Sequence, residues 1–306
     1  MNNFKVKSII DIGSNSIKMR SGFHDGKKIN VIHDETEVVR LGHEVSKTGY
    51  LNKNNMLKAL KVLSRMINTA KNFNSEIFIF GTMALRTAKN SGEFLKLIYD
   101  STGYEIKILS GHEEAKYSYL GAIDGIKHDE NTLIFDTGGG STELVNLKNI
   151  ISVPVGAVIL TERFFYDNNK PVDENLLNNA CEFVRNILND NNGNNINNFV
   201  TSGNIIGVGG GVVAMASVKT GCEIFNPIKL QGIELNIKDI IKQVKLYSSL
   251  NLNDRQKIIG LPPSRADVIL GSACIVLELM KILKSEKFNV SINGLRHGIL
   301  LSECKK

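Results

Sequence analysis

LIFDTGGGST, at residues 133–142, repeats the pattern of IIDIGSNS at residues 9–16. In each stretch an apolar run typical of a β-strand ends at an aspartate, Asp136 or Asp11, and enters a turn of glycine and hydroxyl residues. Glycines leave backbone N–H groups accessible, and these can surround phosphate oxygens together with Ser and Thr hydroxyls. Two such turns in one chain predict two lobes with a cleft between them for a phosphate-bearing ligand.

A third glycine turn follows the predicted strand at residues 205–208. Its GVGGGVVA sequence has dinucleotide-type spacing, but no acidic residue ends a second strand about 20 positions later, as that motif requires. We interpret it as a phosphate- or nucleoside-facing turn, with helix–sheet packing as the alternative. For the first turn, an ordinary tight hairpin is also an open alternative. The candidate phosphate-binding residues of the three turns are Gly13, Ser14, Asn15, Gly138, Gly139, Gly140, Ser141, Gly209 and Gly210.

Composition narrows the class of protein. The 306 residues suffice for two domains, and 42% hydrophobic with 22% charged residues is a normal globular balance. A net charge of +6 favours a polyanionic ligand. Nucleic-acid binding is not supported, because the chain has no dense Lys/Arg stripe interleaved with aromatic residues and no Trp. No apolar run reaches the ~20 residues of a membrane span, and no signal peptide is evident, so we expect a cytoplasmic protein.

Several common routes of phosphate chemistry do not fit the sequence. There is no GxxxxGK[ST] loop. Phosphatases with an aspartate nucleophile usually carry a second carboxylate two residues later, but here Gly13 or Gly138 occupies that position. A cysteine-based phosphatase needs a cysteine in a glycine-rich anion loop, and none of the four scattered cysteines lies in one. These exclusions favour direct attack by a positioned water molecule.

A water nucleophile needs a general base. SGHEEA, at residues 110–115, places Glu113 and Glu114 at a predicted strand-to-helix turn, although carboxylates there can also serve only to stabilise the helix start. GTMALR, at residues 81–86, places Arg86 after a strand, where its forked guanidinium could bind a phosphate or have a purely structural role.

Five segments combine into a pattern that is more specific than any one of them. They are DIGSNS at 11–16, GTMALR at 81–86, SGHEEA at 110–115, DTGGGSTE at 136–143 and NGLRHG at 293–298. Together they resemble the exopolyphosphatase/guanosine pentaphosphate phosphatase (Ppx/GppA) family in its short, two-domain form. The resemblance extends over nearly the whole chain.

That resemblance implies an α/β fold, the duplicated ribonuclease-H-like fold of actin, sugar kinases and chaperone ATPases. The lobes would be residues 1–124 and 125–306, with the helix at about 294–306 packing back on the first. Glu114 would activate water and Arg86 would clamp a phosphate. Asp136 and Glu143 would hold Mg²⁺ or its waters, with Asp11 beside them.

The implied activity is Mg²⁺-dependent release of terminal phosphate from inorganic polyphosphate. Three alternatives remain open: hydrolysis of pppGpp to ppGpp, a non-catalytic sensor of polyphosphate or nucleotide, and a kinase on the same scaffold. A homodimer would extend a basic groove for a long anion. Two residues depart from the family pattern, since His297 stands where Glu is usual and Gly211 where Thr is common.

Local patterns also predict individual elements. Strands are expected at 6–12, 17–23, 28–33 and 77–80, and helices at 52–72, 91–101 and 113–123. After residue 239 the chain is expected to be mainly helical apart from a strand at 288–292. The asparagine-rich stretch at 189–198 is expected to be an exposed loop.

Overall fold

The computed structural model describes residues 4–167, 169–189, 196–199, 203–224 and 226–305. They fall into two compact units. The first consists of the chain up to Gly121 together with the segment from Leu295 onward, and the second is Ala122–Gly294. Each unit contains one mixed β-sheet with helices packed against it.

The first unit contains a five-stranded sheet. Its elements are β1 (Lys7–Ile12), β2 (Ser16–His24), β3 (Ile29–Val38), α1 (Val45–Thr48), α2 (Lys53–Asn72), β4 (Glu76–Gly81), α3 (Met83–Thr87), α4 (Ser91–Thr102), β5 (Lys107–Ile108), α5 (Gly111–Ala122) and the C-terminal α13 (Leu295–Cys304). The strand order is β3-β2-β1-β4-β5, in which β1, β2 and β3 form an antiparallel meander and β4 runs parallel to β1.

Strand β1 is buried on both faces of this sheet. Ile10 belongs to the apolar cluster that contains Leu63 on α2, whereas Ile9 belongs to the cluster that contains Ile299 on α13. Since successive side chains of a strand point to opposite faces, α2 and α13 cover opposite faces of the sheet. The near-continuous apolar run of β1 is what such a doubly covered strand requires.

The second unit contains a six-stranded sheet. Its elements are β6 (Leu133–Thr137), β7 (Thr142–Val145), β8 (Ile150–Val153), α6 (Ala157–Phe164), α7 (Glu174–Asn189), β9 (Ile205–Val208), α8 (Gly210–Thr220), α9 (Pro227–Leu230), β10 (Glu234–Asn236), α10 (Ile237–Ser248), α11 (Leu252–Arg255), α12 (Ile269–Ile282) and β11 (Lys287–Val290), with 3-10 turns at Ile196–Phe199 and Pro263–Arg265. The strand order is β10-β11-β9-β6-β7-β8.

Helix α12 is the central helix of the second unit. Its residues from Ile269 to Met280 are all buried, including the carboxylate-bearing Glu278. A helix that is apolar on every side is stable only when neighbours surround it, and its cluster includes residues of α7, α8 and α10. Arg185 and Lys281 pair with the buried Glu278 at 2.9 and 2.7 Å, which compensates its charge.

The two sheets repeat one topology, which confirms the predicted duplicated α/β fold. Strands β6, β7 and β8 form an antiparallel meander like that of β1, β2 and β3. Strand β9 then pairs in parallel with β6, as β4 does with β1. In both units the glycine turn connects the first two strands of the meander.

Most of the predicted elements are present, with corrections. Strand β3 continues to Val38 rather than ending at His33, because residues 34–38 go on pairing with the first residues of β2. Strand β10 was missed; it has only three residues and is held by antiparallel pairing with β11. Most of the asparagine-rich stretch lies outside the described residues. In the part of the chain that the structure describes, no helix is long and apolar enough to cross a bilayer.

The docking of α13 depends on Gly298. A Cβ atom at this position would overlap the carbonyl oxygen of Tyr117 on α5, which is backbone and cannot rotate away. We therefore expect Gly298→Ala to destabilise the protein by about 1–3 kcal/mol, as overpacking does, and to lower its thermal midpoint. Gly92→Ala on α4 is the matched control, because its Cβ would meet nothing within 4 Å. Equal thermal midpoints for the two variants would contradict this packing.

Candidate active site

The first glycine turn is closed by a hydrogen bond from the Gly13 amide to the Ser16 carbonyl, at 3.1 Å. Ser14 and Asn15 lie within it and are buried. The Asn15 side-chain oxygen is buried with no hydrogen-bond partner among the described residues. An unpaired buried amide oxygen is costly unless a ligand or water completes it, so the turn is suited to bind one.

The segment after β3 supports this turn. Amides of Val39 and Arg40 donate to the Asn15 carbonyl at 3.0 and 2.9 Å, and the Gly42 amide donates to the Ser14 carbonyl at 2.8 Å. A Cβ on Gly42 would lie 2.7 Å from that of Ser14, so the two backbones approach as closely as glycine allows. The carbonyls of the turn therefore accept hydrogen bonds from the protein's own backbone, and these bonds fix the conformation of the turn.

The second glycine turn is closed in the same way, by the Gly138 amide and the Ser141 carbonyl at 2.9 Å. The first amides of α6 support it, since those of Ala157 and Val158 donate to the Gly138 and Gly139 carbonyls at 3.0 and 2.8 Å. Gly140 completes this loop of three glycines.

Gly156 is a residue of this site that the sequence reasoning missed. A Cβ there would lie 2.5 Å from the carbonyl group of Gly139 and from the Gly140 amide nitrogen. Only glycine lets the start of α6 approach the turn so closely. The available signal was a glycine immediately before a helix, in PVGA at residues 154–157.

The hairpins place the predicted metal ligands in register. Asp136 on β6 lies directly opposite Glu143 on β7, so the two carboxylates are on the same face at a typical Cβ separation of about 5 Å. Glu143 is buried and accepts a hydrogen bond from the Ser152 hydroxyl at 2.8 Å. Asp11, at the equivalent position of β1, is instead opposite Lys18.

The third turn, at Gly209 and Gly210, is closely packed. Gly209 has φ 113°, and a Cβ there would overlap the Thr137 carbonyl at the end of β6. The Arg265 guanidinium lies against Gly210. The Thr137 hydroxyl is buried with no hydrogen-bond partner among the described residues. The second and third turns therefore meet at Thr137, and both lie in the second unit.

Arg86 and Glu114 are brought together within the first unit. Arg86 lies on α3, and its Nη1 donates to the Leu109 carbonyl at 2.6 Å and to Glu114 Oε2 at 3.2 Å. The two side chains are 26% and 12% exposed, so both retain access to solvent. The sequence indicated only that Arg86 follows a strand. In the structure Arg86 lies on the short helix α3, from which its side chain reaches the start of α5.

Glu113 has a different position from its neighbour. Its carboxylate accepts from the Ser110 amide at 3.0 Å, and its own amide donates to the Ser110 hydroxyl, which is a capping box at the start of α5. Lys107 pairs with its other oxygen at 2.8 Å. The hydrogen bond from Lys107, with those from Ser110, lowers the pKa of Glu113 to about 2. Glu113 caps the helix, and Glu114 alone of the two pairs with Arg86.

The comparison with known families agrees with this geometry. The model of the Ppx/GppA phosphatase family matches residues 21–306. The chain belongs to the Ppx/GppA phosphatase family. The predicted family is confirmed. The match includes Glu114 and the second glycine turn, whereas the first turn, at residues 13–16, precedes it.

Individual Ppx/GppA relatives match almost the whole chain. A bifunctional 3-dehydroquinate synthase/phosphatase of Fusobacterium nucleatum is 32% identical over 317 residues, which cover 98% of this chain and 46% of that protein. A guanosine-5'-triphosphate,3'-diphosphate pyrophosphatase of Vibrio atlanticus is 26% identical, over 95% and 57%. A crystal structure of the Aquifex aeolicus Ppx/GppA family member has a TM-score of 0.79 at 27% identity, covering 98% and 97%. The chain spans about half the length of these two curated relatives.

The first departure from the Ppx/GppA pattern, His297, is part of the attachment of α13. Its Nδ1 lies 3.0 Å from Nη1 of the buried Arg20, whose Nε donates to Asp34 at 2.7 Å. Arg296 donates to the other oxygen of Asp34 at 2.6 Å. Burial raises the pKa of Asp34, but Arg296 and Arg20 outweigh this effect and the pKa is lowered.

The second departure, Gly211, is a packing residue. A Cβ there would overlap the Ser272 side chain on α12. The Thr that is common in the family would therefore need more space between α8 and α12 than this chain provides. Gly211 therefore allows α8 and α12 to pack closely, and it has no side chain with which to bind a ligand.

The described part of the chain contains no cluster of three or more His, Cys, Asp or Glu residues arranged to hold a metal ion. Asp136 and Glu143 form a pair rather than a cluster. Mg²⁺ is commonly held by one or two carboxylates while waters and substrate phosphates supply the other ligands. The donor set of this pair fits Mg²⁺ in that arrangement.

The capping role of Glu113 predicts a specific pH dependence of stability. Its pKa is lowered from 4.5 to about 2 on folding, so its contribution is present above pH 4.5 and is lost as the pH falls towards 2. We expect Glu113→Gln to lower the free energy of unfolding by under about 1 kcal/mol at neutral pH, because the pair is half exposed. Denaturant titrations should show this difference vanishing near pH 2. A difference that persists there would contradict the assignment.

Proposed function

We propose that this chain is a phosphoanhydride hydrolase that releases terminal phosphate from inorganic polyphosphate. The observation that carries the proposal is the pairing of Glu114 with Arg86, in a protein whose family is that of the Ppx/GppA phosphatases. A partly exposed carboxylate beside a cation can act on water while the cation binds the phosphate under attack.

Each residue has a role in this proposal. Glu114 Oε2 orients a water molecule and accepts its proton as the new oxygen–phosphorus bond forms. The bridging P–O bond to the terminal phosphorus breaks in the same step, and the shortened chain leaves with the bridging oxygen as an anionic phosphate end. Arg86 binds the terminal phosphoryl oxygens as a forked donor. The backbone amides and hydroxyls of the first glycine turn, in the same unit as Glu114 and Arg86, stabilise the charge that develops on the transferred phosphoryl group. Because they are fixed in advance, they need no reorganisation during the reaction.

Glu114 must release Arg86 in part for both to act. The 3.2 Å contact joins the proposed base to the proposed phosphate-binding cation. A substrate phosphate offers Arg86 stronger, bidentate hydrogen bonds than one carboxylate oxygen does. Substrate binding would therefore free an oxygen of Glu114 for water, which couples activation of the base to occupancy of the site.

Mg²⁺ is part of the proposal as the ion held by Asp136 and Glu143. Bound there, it would neutralise charge on phosphate oxygens. The hydrogen bond from the Ser152 hydroxyl to Oε1 orients the Glu143 carboxylate. Asp11 is a less favoured Mg²⁺ ligand than Asp136 and Glu143, because its cross-strand neighbour is Lys18 rather than a second carboxylate.

A second candidate substrate is pppGpp, because the Vibrio atlanticus relative is named for a guanosine polyphosphate. The net charge of +6 suits either polyanion. The ratio of kcat/KM for long-chain polyphosphate to that for pppGpp decides between them. A sensor without turnover would bind either anion and release no phosphate. The homodimer and the cytoplasmic location stay predictions.

Adjacent glutamates provide a matched pair of variants for the proposed base. We expect Glu114→Gln to lower kcat for phosphate release by about 10²–10⁴-fold, since general-base catalysis is lost. Glu113→Gln should retain kcat within a factor of about two, because glutamine preserves the capping box. Circular dichroism checks that both variants fold. Full turnover in Glu114→Gln would exclude it as the base.

The metal pair predicts a separate effect on Mg²⁺ dependence. Asp136→Asn and Glu143→Gln should each raise the Mg²⁺ concentration for half-maximal activity by about tenfold or more, because each removes one anionic ligand. Glu130→Gln, at an exposed position of the same unit, is the control. If all three variants respond to Mg²⁺ as the wild type does, the ion is held elsewhere.

A further inference from the structure

The segment that follows β3 begins beside the first glycine turn and contains several basic residues. Its amides at Val39, Arg40 and Gly42 are the ones that donate to the turn carbonyls. Whatever the turn binds is therefore within side-chain reach of this segment. All of these contacts lie within the first unit, so the position of the segment follows from that unit alone.

We name residues 39–50 with Lys89 the basic segment. Its exposed residues include Arg40, His43 and Lys47, and its only acidic residue is Glu44. Lys89 joins it through the backbone, because its amide donates to the Gly49 carbonyl at 2.9 Å. The Lys89 ammonium also lies 5.6 Å from the centre of the Tyr50 ring. Arg40 is thus bonded to the turn through its backbone, and Lys47 and Lys89 belong to the part of the segment that is further from the turn along the chain.

The backbone of the basic segment is unusual. Arg40 and Glu44 have φ of 52° and 58°, the left-handed region that is unfavourable for a residue other than glycine. Such conformations persist where surrounding contacts enforce them, and they concentrate at ligand-binding sites. At Arg40 both the amide and the carbonyl are bonded, to Asn15 and to Asn55, so the fold holds this residue in place.

We propose that the basic segment binds the inner phosphates of a polyphosphate chain whose terminal phosphates lie at the first glycine turn. This inference rests on the proposed function and adds a determinant of chain length to it. A short anion would reach only Arg40, nearest the turn. A long chain also meets Lys47 and Lys89, because a polyanion with one charge per repeating unit can pair with cations placed in series.

The test measures binding rather than turnover. Isothermal titration calorimetry compares tripolyphosphate with long-chain polyphosphate for the wild type and for the double variant Lys47→Gln/Lys89→Gln. Both lysines are exposed, so the fold should survive their neutralisation. We expect the ratio of long-chain to tripolyphosphate affinity to fall about tenfold, because two surface charge contacts with the long chain are lost.

Lys27→Gln is the matched control. Lys27 is an exposed lysine of the same unit, but it lies in the hairpin at the opposite end of β2 from the turn. The nine residues of β2 separate the two by about 30 Å. This variant removes one positive charge, against two in the double variant, without removing a proposed contact, so its affinity ratio should match that of the wild type.

The outcomes separate this inference from the proposed function. A double variant whose affinity ratio equals that of Lys27→Gln would overturn the inference, whatever the enzyme hydrolyses. Wild-type protein that binds long chains more tightly than tripolyphosphate yet releases no phosphate would overturn the proposed function and leave the inference standing. Equal wild-type affinity for both anions would overturn the inference.

Discussion

One hydrogen bond, made twice, determines much of this structure. In each unit a glycine amide bonds to the carbonyl of the serine three residues later, Gly13 to Ser16 and Gly138 to Ser141. The bond fixes where each hairpin reverses, and with it the pairing of the residues on both strands. The register then sets which side chain faces the strand-end aspartate, a lysine in the first unit and Glu143 in the second.

The sequence predicted features that depend on neighbouring residues. Both glycine turns, most strand positions and the long helix α2 follow from patterns of a few consecutive residues, and the structure has them. The pairing of Asp136 with Glu143 also follows, once the turn length is known. The family resemblance contributed the importance of Arg86 and Glu114, which local patterns left ambiguous.

Other features depend on contacts between distant segments and could not be predicted in this way. Gly156 matters because α6 approaches the second turn, and the strand β10 exists because β11 pairs with it. The different positions of Glu113 and Glu114 were also undetermined, although SGHE at 110–113 has the spacing of a capping box. That signal was available and would have assigned Glu113 to the helix cap.

The proposed mechanism uses a backbone that is fixed before substrate arrives and one carboxylate, that of Glu114, which acts on water. Its central claim is that water attacks the terminal phosphorus. Hydrolysis of polyphosphate in water labelled with heavy oxygen, followed by mass spectrometry of the products, tests this claim most directly. The account predicts the label in the released phosphate from the first turnovers. Label found in the shortened chain, with none in the released phosphate, would contradict it.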